Sequence, residues 1–194
     1  MKHLILRTSA ALACAAALAS CGGGSTGTLQ IGGTVRGVTQ DGLVIQNNGG
    51  NDLAIAANQT SYVFKDLVPT DSVFNITIKS RPSNTEGCTA SPAQGNTGLY
   101  SVTVNIACVI QTKKLEGKVV GLNGQTGLIL SNGPNQVPVA ADGPFTMAPV
   151  SLGYPYGINV LQQPAKGTCT VANGVGTIAD NVANVVVTCV GTGA

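Results

Sequence analysis

The sequence predicts an all-β protein built from two tandem β-sandwich modules. Val, Ile and Thr recur in short runs interrupted by Gly, Asn and Pro, which is typical of strands joined by tight turns. Apolar residues alternate within these runs, as in Phe74, Ile76 and Ile78, whereas a helix would repeat them every third or fourth position. The whole pattern then appears a second time, which indicates an internal duplication.

Residues 1–20 are predicted to be a lipoprotein signal peptide. Lys2 and Arg7 make a basic start, and residues 10–18 form an apolar run too short to span a bilayer as a helix. Leu18-Ala19-Ser20-Cys21 then has the form of a lipobox, the motif at which bacterial lipoprotein precursors are cleaved and acylated. The motif predicts cleavage between Ser20 and Cys21 and a lipid anchor, including palmitate, on Cys21.

Two alternatives to this lipidation site remain open. Ala11-Leu12-Ala13-Cys14 also places small residues before a cysteine, although cleavage there would leave half of the apolar run on the product. The other alternative is an ordinary signal peptide followed by an incidental cysteine.

The lipobox also predicts location. A lipid anchor on Cys21 places the protein in a bacterial cell envelope. Gly22, and not Asp, follows that cysteine, which in Gram-negative cells of the enteric type favours the outer membrane, on either its periplasmic or its surface-exposed face.

Residues 21–30 are predicted to be a Gly- and Ser-rich tether. A flexible tether of about nine residues has an r.m.s. reach of roughly 17 Å, enough to lift a domain off the lipid headgroups. A phosphate-binding glycine loop would need a strand before it and a helix after it, and the sequence indicates neither.

Charge argues against a nucleic-acid partner. The ten Lys and Arg, less Lys2 and Arg7 of the signal peptide, leave eight basic side chains against eight acidic ones. Binding to phosphates needs an excess of basic residues, which the mature chain lacks. Only 9% of residues are charged and 43% are hydrophobic, a composition that can bury a core and is not that of a disordered chain.

The duplication divides the chain into a first module at residues 31–110 and a second at residues 115–191. Corresponding stretches recur at offsets of 84 to 81 residues over nearly the full length of each module. They are Gly42-Leu43-Val44-Ile45 with Gly127-Leu128-Ile129-Leu130, Leu53-x-Ile55-Ala56-Ala57 with Val137-x-Val139-Ala140-Ala141, and Phe74-x-Ile76-x-Ile78 with Tyr156-x-Ile158-x-Val160.

About seven short strands are predicted in each module, which suits a Greek-key sandwich, with an antiparallel barrel as the alternative. In the first module they lie near residues 34–38, 43–47, 52–56, 61–64, 73–80, 87–90 and 100–108. Residues 111–114 are polar, carry two adjacent lysines and are predicted to be an exposed linker.

Four cysteines remain once Cys14 and Cys21 are assigned, and each module holds one pair separated by 20 residues. Of the three possible pairings, the duplication singles out Cys88 with Cys108 and Cys169 with Cys189, because each module should close on itself. Disulfides persist in the oxidising compartments that an exported chain reaches. A metal site is not predicted, since there is no CxxC and no histidine after His3.

The stretch Asp142-Gly143-Pro144-Phe145, followed by Gly153-x-x-Tyr156, resembles transthyretin-like, carboxypeptidase-regulatory-like modules. With its paired cysteines, the whole unit is more similar to the tandem immunoglobulin-like repeats of bacterial surface lipoproteins. The first module departs from the turn motif, with Asn58-Gln59-Thr60-Ser61-Tyr62 in its place. The resemblance implies an accessory or adhesive role and transfers no catalytic residue.

No catalytic residue and no cofactor are predicted. The only histidine, His3, lies in the signal peptide, so the mature chain has no imidazole to activate a nucleophile. Its eight acids lie outside known motifs, mostly in predicted turns, where Asp commonly bonds its own backbone. The one candidate binding platform is Tyr154-Pro155-Tyr156, in which Tyr156 aligns with the core residue Phe74 and Tyr154 is the freer ring.

These observations predict a non-enzymatic, lipid-anchored envelope protein that acts as a spacer or as an interaction and adhesion module. Its expected partners are the membrane, through Cys21, and a protein or surface polymer. The alternative is a solute- or glycan-binding lipoprotein that uses loops near Tyr154.

Overall fold

The computed structural model describes residues 27–191, and this part of the chain contains strands and turns but no helix. The all-β prediction is therefore confirmed. The signal peptide, the lipobox with Cys14 and Cys21, and residues 21–26 of the tether lie outside the described residues. No helix long and apolar enough to cross a membrane occurs between residues 27 and 191.

The described chain forms 19 strands, which fall into a first half, residues 27–110, and a second half, residues 112–191. The first half contains β1 (Thr28–Leu29), β2 (Ile31–Arg36), β3 (Leu43–Asn47), β4 (Gly50–Ile55), β5 (Ser61–Val63), β6 (Val68–Pro69), β7 (Val73–Ser80), β8 (Thr85–Ser91), β9 (Gln94–Asn96), β10 (Val102–Thr103) and β11 (Asn105–Ile110). The second half contains β12 (Thr112–Val120), β13 (Leu128–Asn132), β14 (Asn135–Val139), β15 (Gly143–Ser151), β16 (Pro155–Gln162), β17 (Thr168–Ala172), β18 (Val175–Thr177) and β19 (Val182–Val190).

The two halves have the same sheet topology. In the second half one sheet has the order β15-β12-β19-β17 and the other β14-β13-β16-β18. In the first half β2 lies between β5 on one side and β10 and β11 on the other, β8 flanks β11, and the second sheet has the order β4-β3-β7-β9. Every pairing among the described strands joins strands of the same half.

One pairing in each half brings together the beginning and the end of that half. β2 runs parallel to β11, with Val35 opposite Ile106, and β12 runs parallel to β19, with Val119 opposite Val187. The first long strand thus lies beside the last, whereas an immunoglobulin constant domain places its first strand beside its second. The sandwich class is the same, but the strand order differs.

Each half has its own apolar core between its two sheets. Alternation in β3 places Leu43 and Ile45 inside, and the same alternation in β13 buries Leu128 and Leu130. Two separate clusters of buried residues result, one spanning Ile31 to Cys108 and the other Leu115 to Cys189. Burial of these side chains is the main stabilising contribution, at roughly 25 cal/mol per Å² of apolar surface.

Glycines at equivalent positions show how closely the repeat is kept. Gly37 and Gly121 have positive φ angles of 75° and 82°, and a Cβ atom on either would lie 2.0 Å or 2.2 Å from the carbonyl oxygen of Cys108 or Cys189. Only glycine fits such a position, because it has no side chain and readily adopts positive φ. The same bend therefore carries the chain over the same cysteine in both halves.

The predicted strands of the first module all overlap observed strands, and the predicted linker and tether differ from the structure. Residues 112–114 form the beginning of β12, where Thr112 pairs with Ser151 and Lys113 with Val150. β1 lies within the predicted tether and pairs with β6. In both segments the backbone hydrogen bonds of a strand leave polar side chains free to face solvent, so side-chain polarity alone suggested a loop.

Candidate functional site

Each half contains one disulfide between its last long strand and the strand beside it. Cys88 on β8 lies directly opposite Cys108 on β11, and Cys169 on β17 lies opposite Cys189 on β19. Both bonds have a Cα–Cα distance of 4.0 Å and a sequence separation of 20 residues. The bridges join residues within one half, so neither crosses from one half to the other.

The point where the chain enters each half, here called its upstream end, is built in a similar way in both halves. In the first half the Gly27 carbonyl accepts a hydrogen bond from the Thr70 amide (2.9 Å), and the Gly98 carbonyl accepts one from the Asp71 amide (3.0 Å). In the second half the Gln111 carbonyl accepts from the Leu152 amide (2.8 Å), and the Ile178 carbonyl accepts from the Gly153 amide (2.7 Å).

The upstream end of the second half lies against the first half. Gln111 donates its amide hydrogen to the Asn84 carbonyl (2.9 Å), and its side-chain Nε2 donates to the Ser83 carbonyl (3.3 Å). Because the Gln111 carbonyl also accepts from Leu152, this single residue bonds to both halves. It is the joint between them.

Tyr154 lies at this joint. Its ring lines a shallow cleft of about 360 Å³ together with Arg36 and Gln59 of the first half, and 46% of the residue is exposed. Tyr62 and Phe64 make an edge-to-face contact, with ring centroids 5.8 Å apart, but both are buried in the core of the first half. A sugar-binding platform usually presents more than one exposed aromatic ring, and this cleft is lined by one. We therefore assign Tyr154 to the joint, and ligand binding at Tyr154 stays a prediction.

Without a histidine after His3, the acidic residues are the remaining candidates for acid or base catalysis. Several of them have hydrogen-bond partners within the fold. The Asp41 carboxylate accepts a hydrogen bond from the Ala57 amide (2.8 Å), and the Asp142 carboxylate accepts one from the Leu122 amide (2.7 Å). Both carboxylates lie in bends of the chain and bond to backbone that is 16 and 20 residues away, whereas the sequence predicted bonds to the local backbone of the turn. Within the described part of the chain, no group of three or more His, Cys, Asp or Glu side chains could hold a metal ion.

A groove of about 380 Å³ between β4 and the segment after β5 brings Asp52 near Lys65 and Asp66. Lys79 donates to the Asp52 carboxylate, and Gln46 donates to it at 2.6 Å. These bonds, that of Lys79 first, lower the pKa of Asp52 from its ordinary value. A glycosidase pairs an ionised carboxylate with a carboxyl group of raised pKa that protonates the leaving group, and the lowered pKa of Asp52 does not suit this second role.

Leu99 and Tyr100 are surface residues to which sequence reasoning gave no role. They form the turn after β9 at the upstream end of the first half, and 57% and 82% of these residues are exposed. The repeat itself contains the signal that could have found them. Thr97 and Ile178 are equivalent buried residues. Two and three positions after them stand Leu99 and Tyr100 in the first half but Asp180 and Asn181 in the second.

Comparison with known proteins adds an architectural likeness only. No protein-family model and no curated protein matches the sequence. Among solved structures, the Bacillus anthracis TIE protein matches 84% of this chain with 9% identity and a TM-score of 0.48, and this chain spans about a third (34%) of that protein's length.

Two pilins match with lower scores. The shaft pilin SpaA of Lactobacillus rhamnosus GG shows 11% identity over 87% of this chain and 99% of its own, with a TM-score of 0.32. The major pilin T-13 of Streptococcus pyogenes shows 11% identity over 86% of this chain and 98% of its own, with a TM-score of 0.28. Likenesses of this size indicate no function.

Proposed function

We propose that this chain is a non-enzymatic, lipid-anchored envelope protein in which two β-sandwich modules, residues 31–110 and 115–191, act as a spacer. In this proposal Cys21 carries the lipid, and the second module presents an interaction surface to a protein or surface polymer at a distance from the membrane. The cell envelope, with the outer membrane as the expected membrane, is the proposed location.

The observation that carries the spacer proposal is the path of the chain through the first half. The chain enters at Gly27, where its carbonyl bonds to Thr70, and leaves through β11 to Gln111, which bonds to Asn84 and Leu152. β2, β7 and β11 all run from the upstream end towards Gln111, so entry and exit lie at opposite ends of the sandwich. A strand of eight residues, the length of β7, spans about 26 Å at roughly 3.3 Å per residue.

A spacer also needs units that survive outside the cell. Each half has a separate apolar core and one disulfide that joins its last strand to a neighbour. In the chain-entropy description a bridge closing a loop of this size stabilises its unit by about 3 kcal/mol. That contribution is large for an 80-residue unit, because small domains bury a lower fraction of their surface.

The lipid anchor is tested by Cys21→Ala, with Cys14→Ala as the matched control. We expect Cys21→Ala to abolish incorporation of labelled palmitate and to release the protein from the membrane fraction, because a neutral ectodomain supplies little membrane affinity without acyl chains. Cys14→Ala should leave both unchanged. Continued labelling and membrane retention of Cys21→Ala would falsify the anchor assignment.

The interaction role is tested by cross-linking in intact cells, with photo-reactive residues at exposed positions of the full-length chain. Val175, which is 78% exposed in the second half, and Val73, which is 71% exposed in the first, form a matched pair of positions. We expect a reproducible adduct with a protein or polymer from Val175 and a weaker one from Val73. Adducts from Val73 alone would place the interaction surface in the wrong half.

A further inference from the structure

We propose that Leu99 and Tyr100 form a lipid-contacting turn that sits at the headgroup level of the membrane beside the anchor. The proposal rests on lipidation of Cys21, as proposed above, and adds a second, non-covalent contact between the protein and the bilayer. Leu99 and Tyr100 belong to no sequence motif, and as exposed residues they do not contribute to the core.

The turn exposes two large, mainly apolar side chains next to each other. Tyr100 is 82% exposed and Leu99 is 57% exposed, and the two are adjacent in the chain. Single exposed apolar residues are common on protein surfaces, so exposure alone carries no conclusion. Position supplies the argument.

The turn lies beside Gly27, the first residue that the structure describes. Thr70 donates its amide hydrogen to the Gly27 carbonyl, and the next residue, Asp71, donates its amide hydrogen to the Gly98 carbonyl. Two consecutive residues of one strand-to-strand turn therefore hold Gly27 and Gly98 close together. Leu99 and Tyr100 follow Gly98 directly, so they project from the same end as Gly27.

Only five residues, 22–26, separate Gly27 from Cys21. The six Cα–Cα steps from Cys21 to Gly27 can span at most about 20 Å. The headgroup layer on each side of a bilayer is itself about 5–8 Å thick. A lipid on Cys21 thus keeps this end of the first half within reach of the membrane surface.

The second half shows that the fold does not require apolar residues here. At its upstream end, Asp180 pairs with Lys113 at 3.8 Å, and the Asn181 side-chain oxygen accepts a hydrogen bond from the Lys114 amide at 3.0 Å. That end lies at the joint with the first half, and its turn is polar even though 83% of the Asp180 side chain is exposed. The equivalent turn that is predicted to face the membrane carries Leu and Tyr instead.

The chemistry of the pair suits the headgroup region. Tyrosine has an apolar ring and a polar hydroxyl and is enriched at the membrane interface, and leucine favours the acyl boundary. Asp71 is an acidic residue at this end, so a zwitterionic surface is the appropriate partner and an anionic one is less favourable.

Tyrosine fluorescence can test the contact because the chain has four Tyr and no Trp. Full-length, acylated protein is reconstituted into phosphatidylcholine vesicles with or without brominated acyl chains, which quench fluorophores at the interface. Tyr154→Ser is the matched control for Tyr100→Ser, because both tyrosines are exposed but Tyr154 lies at the joint. We expect Tyr100→Ser to remove most of the quenching and Tyr154→Ser to remove little.

The two proposals fail in different ways in this experiment. If mass spectrometry finds no acyl group on Cys21, the anchor assignment fails and takes the membrane contact with it. If the protein is acylated and vesicle-bound, but the fluorescence of Tyr100→Ser is quenched as much as that of the protein without the substitution, only the membrane contact is overturned. Loss of quenching with Tyr154→Ser would mean that the joint, and not the upstream end, meets the lipid.

Discussion

The two halves share one topology but differ in one buried hydroxyl group and in the residues of the turn at their upstream ends. Tyr62 in the first half and Phe145 in the second occupy equivalent places opposite Gly33 and Gly117. The Tyr62 hydroxyl donates to the Val104 carbonyl at 2.9 Å, and Phe145 has no hydroxyl to do the same. The comparison teaches that the alternation of apolar residues and the glycines preserve the sandwich, while a buried hydroxyl and the surface turns are free to vary.

Removing one disulfide should have the largest effect and should separate the halves. Cys88→Ala with Cys108→Ala is expected to destabilise the first half by about 3 kcal/mol, and Cys169→Ala with Cys189→Ala should do the same to the second. Hydrogen exchange resolved by peptide reports each half separately. Equal loss of protection in both halves after either change would show that they unfold as one unit.

Alanine at the equivalent glycines should test how exactly the repeat is kept. Gly37→Ala and Gly121→Ala each force a side chain onto a positive φ, which alone costs about 1–3 kcal/mol. The added Cβ would also meet a cysteine carbonyl oxygen. We expect urea unfolding to shift by similar amounts in both variants. Gly49→Ala is the control, because its φ is also positive but no atom lies within 4 Å of the added Cβ.

Tyr62→Phe removes the feature that distinguishes the first core. The Val104 carbonyl would be left without its donor inside a buried site, at a cost of about 1–2 kcal/mol. Phe145→Ala is not a suitable comparison because it would open a cavity, so Tyr156→Phe, a half-buried tyrosine of the second half, serves as the control. A Tyr62→Phe protein as stable as the unmodified one in thermal unfolding would contradict the assigned role of the hydroxyl.

Alkaline pH should affect the first half more than the second. Burial raises the pKa of Tyr62 from 10.0 to about 12, so the folded state holds its proton in a range where the unfolded state has lost it. The contribution of the protonated Tyr62 to the free energy of unfolding is therefore fully present below pH 10 and is lost as the pH rises from 10 towards 12. Chemical denaturation across this range should show a slope that Tyr62→Phe lacks. A slope unchanged by this substitution would point to another group.

The smallest effect is expected at the Asp52 and Lys79 pair on the outer face of the first half. Hydrogen bonds from Lys79 and Gln46 lower the pKa of Asp52, so their contribution is present above the ordinary pKa of 3.8 and disappears as pH falls below it. Asp52→Asn should lower the melting temperature only slightly at low salt and still less at high salt, since exposed pairs are screened. A large, salt-independent loss would indicate a structural role that the geometry does not show.

Much of the fold could be predicted because its signals are local. Alternation in segments such as β3 and β7 and the recurrence of the same pattern in β13 and β16 are visible in the sequence. The short strands β6 and β9 carried no such signal, because pairings of two or three residues depend on neighbours distant in the chain. The start of β12 was predicted to be a linker because its residues are polar, and its pairing with Ser151 and Val150 leaves no sign in the local sequence.

The surfaces were harder to predict than the cores. Tyr154 was predicted to be the freer ring of a binding platform, and that stays a prediction. Its place at the joint, with 46% of the residue exposed, is visible only because Gln111 bonds to both halves. The turn at Leu99 and Tyr100 gained significance only once Gly27 and Gly98 were found side by side. Such proximity arises from strand pairing and has no trace in residue spacing.

The parallel pairing of the first and last long strands has a mechanical consequence. If the N-terminus is lipid-anchored and the second half holds a partner, as proposed above, tension would pull β2 towards one end of the sandwich and β11 towards the other. Hydrogen bonds such as that from the Val104 amide to the Gly32 carbonyl (2.8 Å) lie across the direction of pull and are loaded together. β12 and β19 repeat the arrangement, so a pull along these strands would load each half in shear and would not open it one bond at a time.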